Sequence, residues 1–134
     1  MGGRVSKKKQ LQRLSKRERQ IMDVIYMLGE ATAADVFERL PEKVSDASVR
    51  KLIRIVEPKG YLTHRRVGHS YIYTPTIPKE IASRQAIKHL LKTFFQDSTP
   101  KAVSALLDIS GSELSEEDIS ELTELIRKAE EKGR

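Results

Sequence analysis

Arg50, Lys51 and Arg54 lie close together on a segment that also carries Val49, Leu52, Ile53 and Val56. A guanidinium presents a planar fork of N–H donors that can take O6 and N7 of guanine together, and an ammonium can grip phosphate or guanine. At 100° per residue the four apolar side chains gather within about a quarter to a third of a helix circumference. The cations then point the other way, with Ala47, whose small side chain allows close approach to a base edge, and with Ser45 and Ser48 at the start of the segment. A second basic group, Arg65, Arg66 and His69, follows shortly after, and Arg17 precedes it. The chemistry these residues offer is the binding of phosphates and base edges. An isolated segment of this kind is more simply an amphipathic helix with a solvated basic face, so the neighbouring elements decide between the two.

Other chemistries lack their residues. Cys is absent, which excludes disulfides, thiolate metal sites and Cys nucleophiles. The sequence contains no phosphate-cradling Gly-rich loop, no H-E-x-x-H and no G-x-S-x-G. His64, His69 and His89 show no metal-ligand spacing; His64 reads as packed or solvated, and His69 as a possible phosphate donor. The acidic run over residues 113–124 reads as a solvated helix face, without the glycine pattern of an EF-hand. No catalytic residue, metal or cofactor is expected, and a hydrolase has no supporting constellation.

The elements that must position the cations follow from caps and periodicity. Ser15 and Glu18 form a capping box, and Ile21, Val24, Ile25 and Leu28 then make one apolar face that Gly29 closes. Thr32, with Asp35 three residues on, opens a second short helix with Val36, Phe37 and Leu40 inward, and Pro41 stops it. The third helix spans residues 45–56 and ends before Pro58 and Gly60. Residues 61–66 and 70–74 read as strands joined by a turn at Val67, Gly68 and His69. Three helices and a hairpin with a basic tip make the winged helix-turn-helix plan, in which one helix faces the major groove. The fold expected is mainly α with a small β-hairpin.

A second region follows Pro75 and Pro78. A helix over residues 79–95 carries Ile81, Ile87, Leu90, Leu91, Phe94 and Phe95; a short one after Ser98 and Pro100 carries Val103, Leu106 and Leu107; and a last one after Ser115 carries Ile119, Leu122, Leu125 and Ile126. Three short helices cannot bury so many apolar residues by themselves, so a second chain is expected to cover them. The alternative is that they pack on the winged domain. The expected organisation is a disordered basic arm over 1–12, a winged DNA-binding domain over 13–76 and a helical dimerisation domain over 77–134.

Charge divides the same way. The chain of 134 residues has a formal net charge of +6. Residues 1–80 hold 17 Lys and Arg against 9 Asp and Glu, whereas residues 81–134 hold 8 against 10. A basic first part can neutralise a polyanion while a mildly acidic second part associates with protein. The Lys run at residues 7–9 can add phosphate contacts or serve as a solubilising tail. No apolar stretch has membrane-spanning length and no signal core follows the N-terminus, so a cytoplasmic protein is expected.

Six segments in order resemble the penicillinase repressors, bacterial repressors of β-lactamase and methicillin-resistance genes. They are LSKRERQIM (14–22), LGEATAA (28–34), SVRKLIR (48–54), KGYLTHRR (59–66), GHSYIY (68–73) and LSEEDI (114–119). The resemblance spans roughly residues 14–128. It implies a homodimer in which each winged domain takes half of a palindromic operator while the C-terminal helices interlock. On that basis Arg17, Ser45, Ala47, Ser48, Arg50, Lys51, Arg54, Arg65, Arg66 and His69 are expected at DNA. Ile87, Leu90, Leu91, Phe94, Phe95, Val103, Leu106, Leu107, Ile119, Leu122, Leu125 and Ile126 are expected at the dimer interface.

The chain also departs from the family pattern. Lys51 stands where the family usually has Thr, which adds a charge to the reading face, and Pro58 shortens the third helix. Penicillinase repressors are inactivated by a sensor-triggered cut at an Asn-Phe bond. That site aligns near Ala105 and Leu106 here, and the chain has no Asn. Copper-responsive relatives sense metal through Cys, which is also missing. A competing expectation is a winged module that turns its basic face to an acidic protein partner instead of DNA.

Overall fold

The computed structural model describes residues 11–133. Residues 1–10 of the expected basic arm, including the Lys run at 7–9, lie outside the described residues. The element order is α1 (Lys16–Leu28), α2 (Ala33–Arg39), α3 (Asp46–Val56), β1 (Leu62–Val67), β2 (Ser70–Pro75), α4 (Lys79–Phe94), α5 (Thr99–Ser110) and α6 (Glu116–Lys132), with a 3-10 turn between the last two. Two compact units divide between Arg84 and Gln85, within α4.

Side-chain caps set where the first helices begin. Ser15 Oγ accepts from the Glu18 amide at 3.2 Å while Glu18 Oε1 accepts from the Ser15 amide at 3.0 Å. Thr32 and Asp35 repeat the arrangement on α2. Ser45 Oγ takes the Ser48 amide at 3.0 Å and opens α3. Each bond satisfies an amide that the first helical turn leaves without an internal partner. Gly29, at φ 89°, ends α1 in a conformation that a side chain would strain.

The core of the first unit joins Ile21, Met22, Val24 and Ile25 of α1 to Val36 of α2 and to Val49, Ile53 and Val56 of α3. Ala31, Ala33 and Leu62 complete it. The helices meet through the apolar faces that their spacing implies, with two departures. Phe37 is 43% exposed, and Leu28 lies at the surface as well. Helix α2 is only seven residues long, so only Ala33 and Val36 are buried and Leu40 packs at the margin.

Strands β1 and β2 pair antiparallel from Leu62 opposite Pro75 to Val67 opposite Ser70. Only Gly68 and His69 remain as the turn, one residue tighter than the sequence suggests, and Gly68 takes φ 62°. Ala31 bridges Tyr73, with amide-to-carbonyl bonds of 3.0 and 2.8 Å, so the α1–α2 connection acts as a short third strand.

A charged anchor fastens the end of α3 to the start of α1. Lys59 Nζ donates to Glu18 Oε1 at 2.7 Å and to the Arg13 carbonyl at 2.9 Å. Glu18 is buried, and its carboxyl is held below the usual range mainly by the Lys59 hydrogen bond, then by the Ser15 amide. Tyr61 donates to the Gln12 carbonyl at 2.6 Å, so the last residues of the expected arm contact the domain.

In the second unit the helices form where the caps predict, with Ser98 and Ser115 accepting from the Lys101 and Asp118 amides. Helix α5 is longer than expected, at 12 residues. Gln96 and Asp97 take positive φ values of 55° and 59° in the sharp turn that ends α4. No residue from 85 to 133 is buried.

Candidate nucleic-acid interface

Helix α3 separates its two faces cleanly. Val49, Ile53 and Val56 are at most 1% exposed, while Ser45, Ala47, Ser48, Arg50, Lys51 and Arg54 all stand at the surface. The apolar side is consumed by α1 and α2, which leaves the cationic side free to meet a groove.

Each expected contact residue has a defined environment. Arg50 Nε donates to Asp46 Oδ2 at 2.9 Å, one turn back on the same helix. Among the described residues no ion pair is found on Lys51 or Arg54. Ser45 and Ser48 are linked to each other, with Ser45 Oγ donating to Ser48 Oγ at 2.9 Å, so both serve the helix cap. Arg17, on α1, pairs with Glu42 at 3.0 Å.

The wing is tethered at its flank. Arg65 on β1 makes a two-point contact to Glu30, with distances of 3.0 and 3.2 Å. That contact lowers the Glu30 carboxyl and raises the Arg65 guanidinium. Arg65 is therefore committed to the α1–α2 connection in this state. Arg66 Nε donates to the Gly68 carbonyl at 3.0 Å and sits with His69 at the exposed tip. His64 lies outside the expected contacts: its Nδ1 is 2.5 Å from Glu57 Oε2, and its ring is 4.6 Å from that of Tyr71. The α3 end and β1 are thus linked by a polar contact.

A polar recess of about 110 Å³ separates α3 from the wing; Thr32, Ala34, Arg50, His69, Ser70 and Tyr73 are among its lining. It draws Arg50 and His69, which the sequence assigns to separate basic groups, to one concavity. Burial raises the Tyr73 hydroxyl above its ordinary value, with the charge of Glu57 adding to it. Sequence reasoning missed the acidic partners Asp46, Glu30 and Glu42. Only the first had a signal, the i, i+4 spacing of Asp46 and Arg50.

The residues expected at a dimer interface are uncovered in the single chain. Ile87, Leu90, Phe94, Val103, Leu106, Leu107, Ile119, Leu122, Leu125 and Ile126 are exposed, and Leu91 and Phe95 are half-buried. Phe94 is 70% exposed. Ala105 and Leu106, where the family's cleavage bond aligns, lie within α5. Among the described residues no cluster of His, Asp and Glu could hold a metal, and no described helix is long and apolar enough to cross a membrane.

A capped helix pair, an outward basic third helix and a hairpin wing define a winged helix-turn-helix protein. The model of the penicillinase repressor family matches residues 14–128, and the chain belongs to that family. Membership places it among DNA-binding transcriptional repressors and not among enzymes. An uncharacterized 16.5 kDa protein from the ptsI 3′ region of Latilactobacillus sakei is 27% identical over 111 residues, covering 81% of this chain and 75% of that protein. Among solved structures, a zinc-responsive MarR family member, ZitR of Lactococcus lactis, aligns over 95% of this chain and 81% of its own at 16% identity and a TM-score of 0.45. Bordetella bronchiseptica BpsR, whose DNA binding is regulated by 6-hydroxynicotinic acid, aligns over 87% and 75% at 16% identity and a TM-score of 0.46. Similarities this distant say nothing about what this chain senses.

Proposed function

We propose that this chain is a homodimeric repressor that binds a palindromic operator. Residues 13–76 form the DNA-binding domain and residues 77–134 the dimerisation domain. Arg50, Lys51 and Arg54 meet the major groove, with Ala47 allowing close approach and Ser45 and Ser48 near the phosphates. Arg66 and His69 carry the wing to the flanking backbone, with Arg65 joining them once phosphate competes for its guanidinium, and Arg17 adds a phosphate contact from α1. The observation that carries the reading is the outward cationic face of α3 set against its fully buried apolar face.

The dimer rests on the absence of any buried residue among the described residues 85 to 133. Ordering three helices while burying little apolar surface costs chain entropy with little to offset it, and a twofold mate supplies the missing surface. Acting on chromosomal DNA carries a cytoplasmic location with it. A sensor protease is an open partner: the family's cut would find no Asn at the aligned bond, which lies inside α5.

The test is a fluorescence-anisotropy titration of the full chain against duplex from its own upstream region and against random duplex. Preferential binding with a steep loss of affinity as salt rises supports the reading, since each neutralised phosphate releases counterions. Equal binding to both duplexes overturns sequence specificity. No duplex binding, with capture of an acidic protein instead, favours the protein-interaction module.

A further inference from the structure

Asp46 stands at the first position of α3, where a carboxylate sits oddly on a face meant for a polyanion. The helix dipole favours an acid there, but the cap itself is Ser45, whose hydroxyl already satisfies the Ser48 amide. What distinguishes Asp46 is its bond from Arg50 Nε, 2.9 Å long. Both side chains remain about half exposed, at 52% and 54%, so the pair contributes little to folding.

The geometry has a directional consequence. Helical side chains lean toward the N-terminus, so Arg50 lies back over the first turn, the end of a recognition helix that reaches base edges. With Nε occupied, the pair of nitrogens left on the guanidinium is Nη1 and Nη2, which between them carry enough donors for guanine O6 and N7. Lys51 and Arg54 show no ion pair among the described residues. The Asp46 charge also repels the backbone of any duplex, matched or not.

We infer that Asp46 is a specificity-determining positioning residue: it holds Arg50 for guanine at one position of each half-site and lowers binding to unmatched DNA. The inference rests on the operator-binding reading above. It concerns Asp46 alone, which neither the charge pattern of the sequence nor the family match assigns.

The experiment selects duplexes from a random pool with the full-length wild type, then titrates the selected duplex and its single-base variants. Wild type, Asp46→Ala, Asp46→Asn, Arg50→Ala and Arg50→Lys are compared, with thermal melting as the check on folding. Arg50→Ala and Arg50→Lys identify the base pair that Arg50 reads. Asp46→Ala is expected to lose about five- to tenfold of the guanine preference at that base pair only, a part of what a good two-point contact provides. It is also expected to bind random duplex about two- to threefold more tightly at low salt, having lost one negative charge. Asp46→Asn tests whether the charge is needed, and it should lie between the two. An unchanged preference in both Asp46 variants overturns the inference while leaving the operator reading intact. So does a loss at a different, cytosine-bearing position, which would make Asp46 a base contact in its own right. If the wild type selects no sequence, the operator reading and the inference fall together.

Discussion

Glu18 and Lys59 show how one partly buried pair stabilises the first unit. The carboxylate accepts from the Ser15 amide and from Lys59, and both lower its pKa from an ordinary 4.5. A carboxyl depressed by folding adds stability at pH values above its unfolded pKa, and loses it as pH falls through the folded one. Melting temperature should therefore decline below about pH 4.5. In Lys59→Met that acid-dependent portion should shrink, and stability at pH 7 should drop by about 3 kcal/mol, because the carboxylate is left buried without its cation. A melt of this variant that matches the wild type at both pH values would mean that solvent reaches Glu18. At the wing, Glu30→Gln removes the negative charge and one of the two acceptor oxygens that hold Arg65. Affinity for random duplex should rise about twofold, with a steeper salt dependence, as one more cation reaches phosphate. An unchanged salt slope would place Arg65 away from DNA.

At the scale of elements, the start of α3 tests whether Ser45 acts on DNA or on the helix. Its hydroxyl accepts from the Ser48 amide and donates to the Ser48 hydroxyl. Ser45→Ala should cost about 1 kcal/mol of stability by leaving that amide uncapped. Ser45→Asp should keep the cap and the melting temperature while weakening duplex binding, since on the proposed interface it would place a charge beside phosphate. Retained binding in Ser45→Asp would put the N-terminus of α3 outside the interface. The caps of α1 and α2 and the apolar faces of α1, α2 and α3 were legible because hydrogen bonding within a turn and a 3.6-residue period are local properties. The exposed Phe37 was not, because how far a seven-residue helix tilts its second apolar residue inward depends on what packs above it. The Ala31–Tyr73 bridge escaped for a related reason: a single-residue strand has no periodicity to read.

For the whole molecule, the contrast lies between a first unit with its own core and the described residues 85–133, none of which is buried. A variant such as Leu106→Glu changes a side chain 60% exposed in the single chain. If a second copy covers it, the substitution should shift sedimentation from dimer to monomer. It should also lower operator affinity at least tenfold, because the two half-sites would no longer be bound by one particle. A dimer that persists with unchanged affinity would locate the interface elsewhere. Melting of the wild type should likewise depend on protein concentration, as folding and association are then linked.

The linear chain determined the winged plan, the opposition of Val49, Ile53 and Val56 to the cations of α3, and the apolar surplus after residue 79, because each is a matter of spacing along one helix or one hairpin. Tertiary structure decided which cations are already engaged. Asp46 was within reach of a pattern, but Glu30 lies 35 positions from Arg65 and Glu42 lies on another element from Arg17. Charges far apart in sequence find each other only after the core has set the distances between their backbones, and no local rule encodes that.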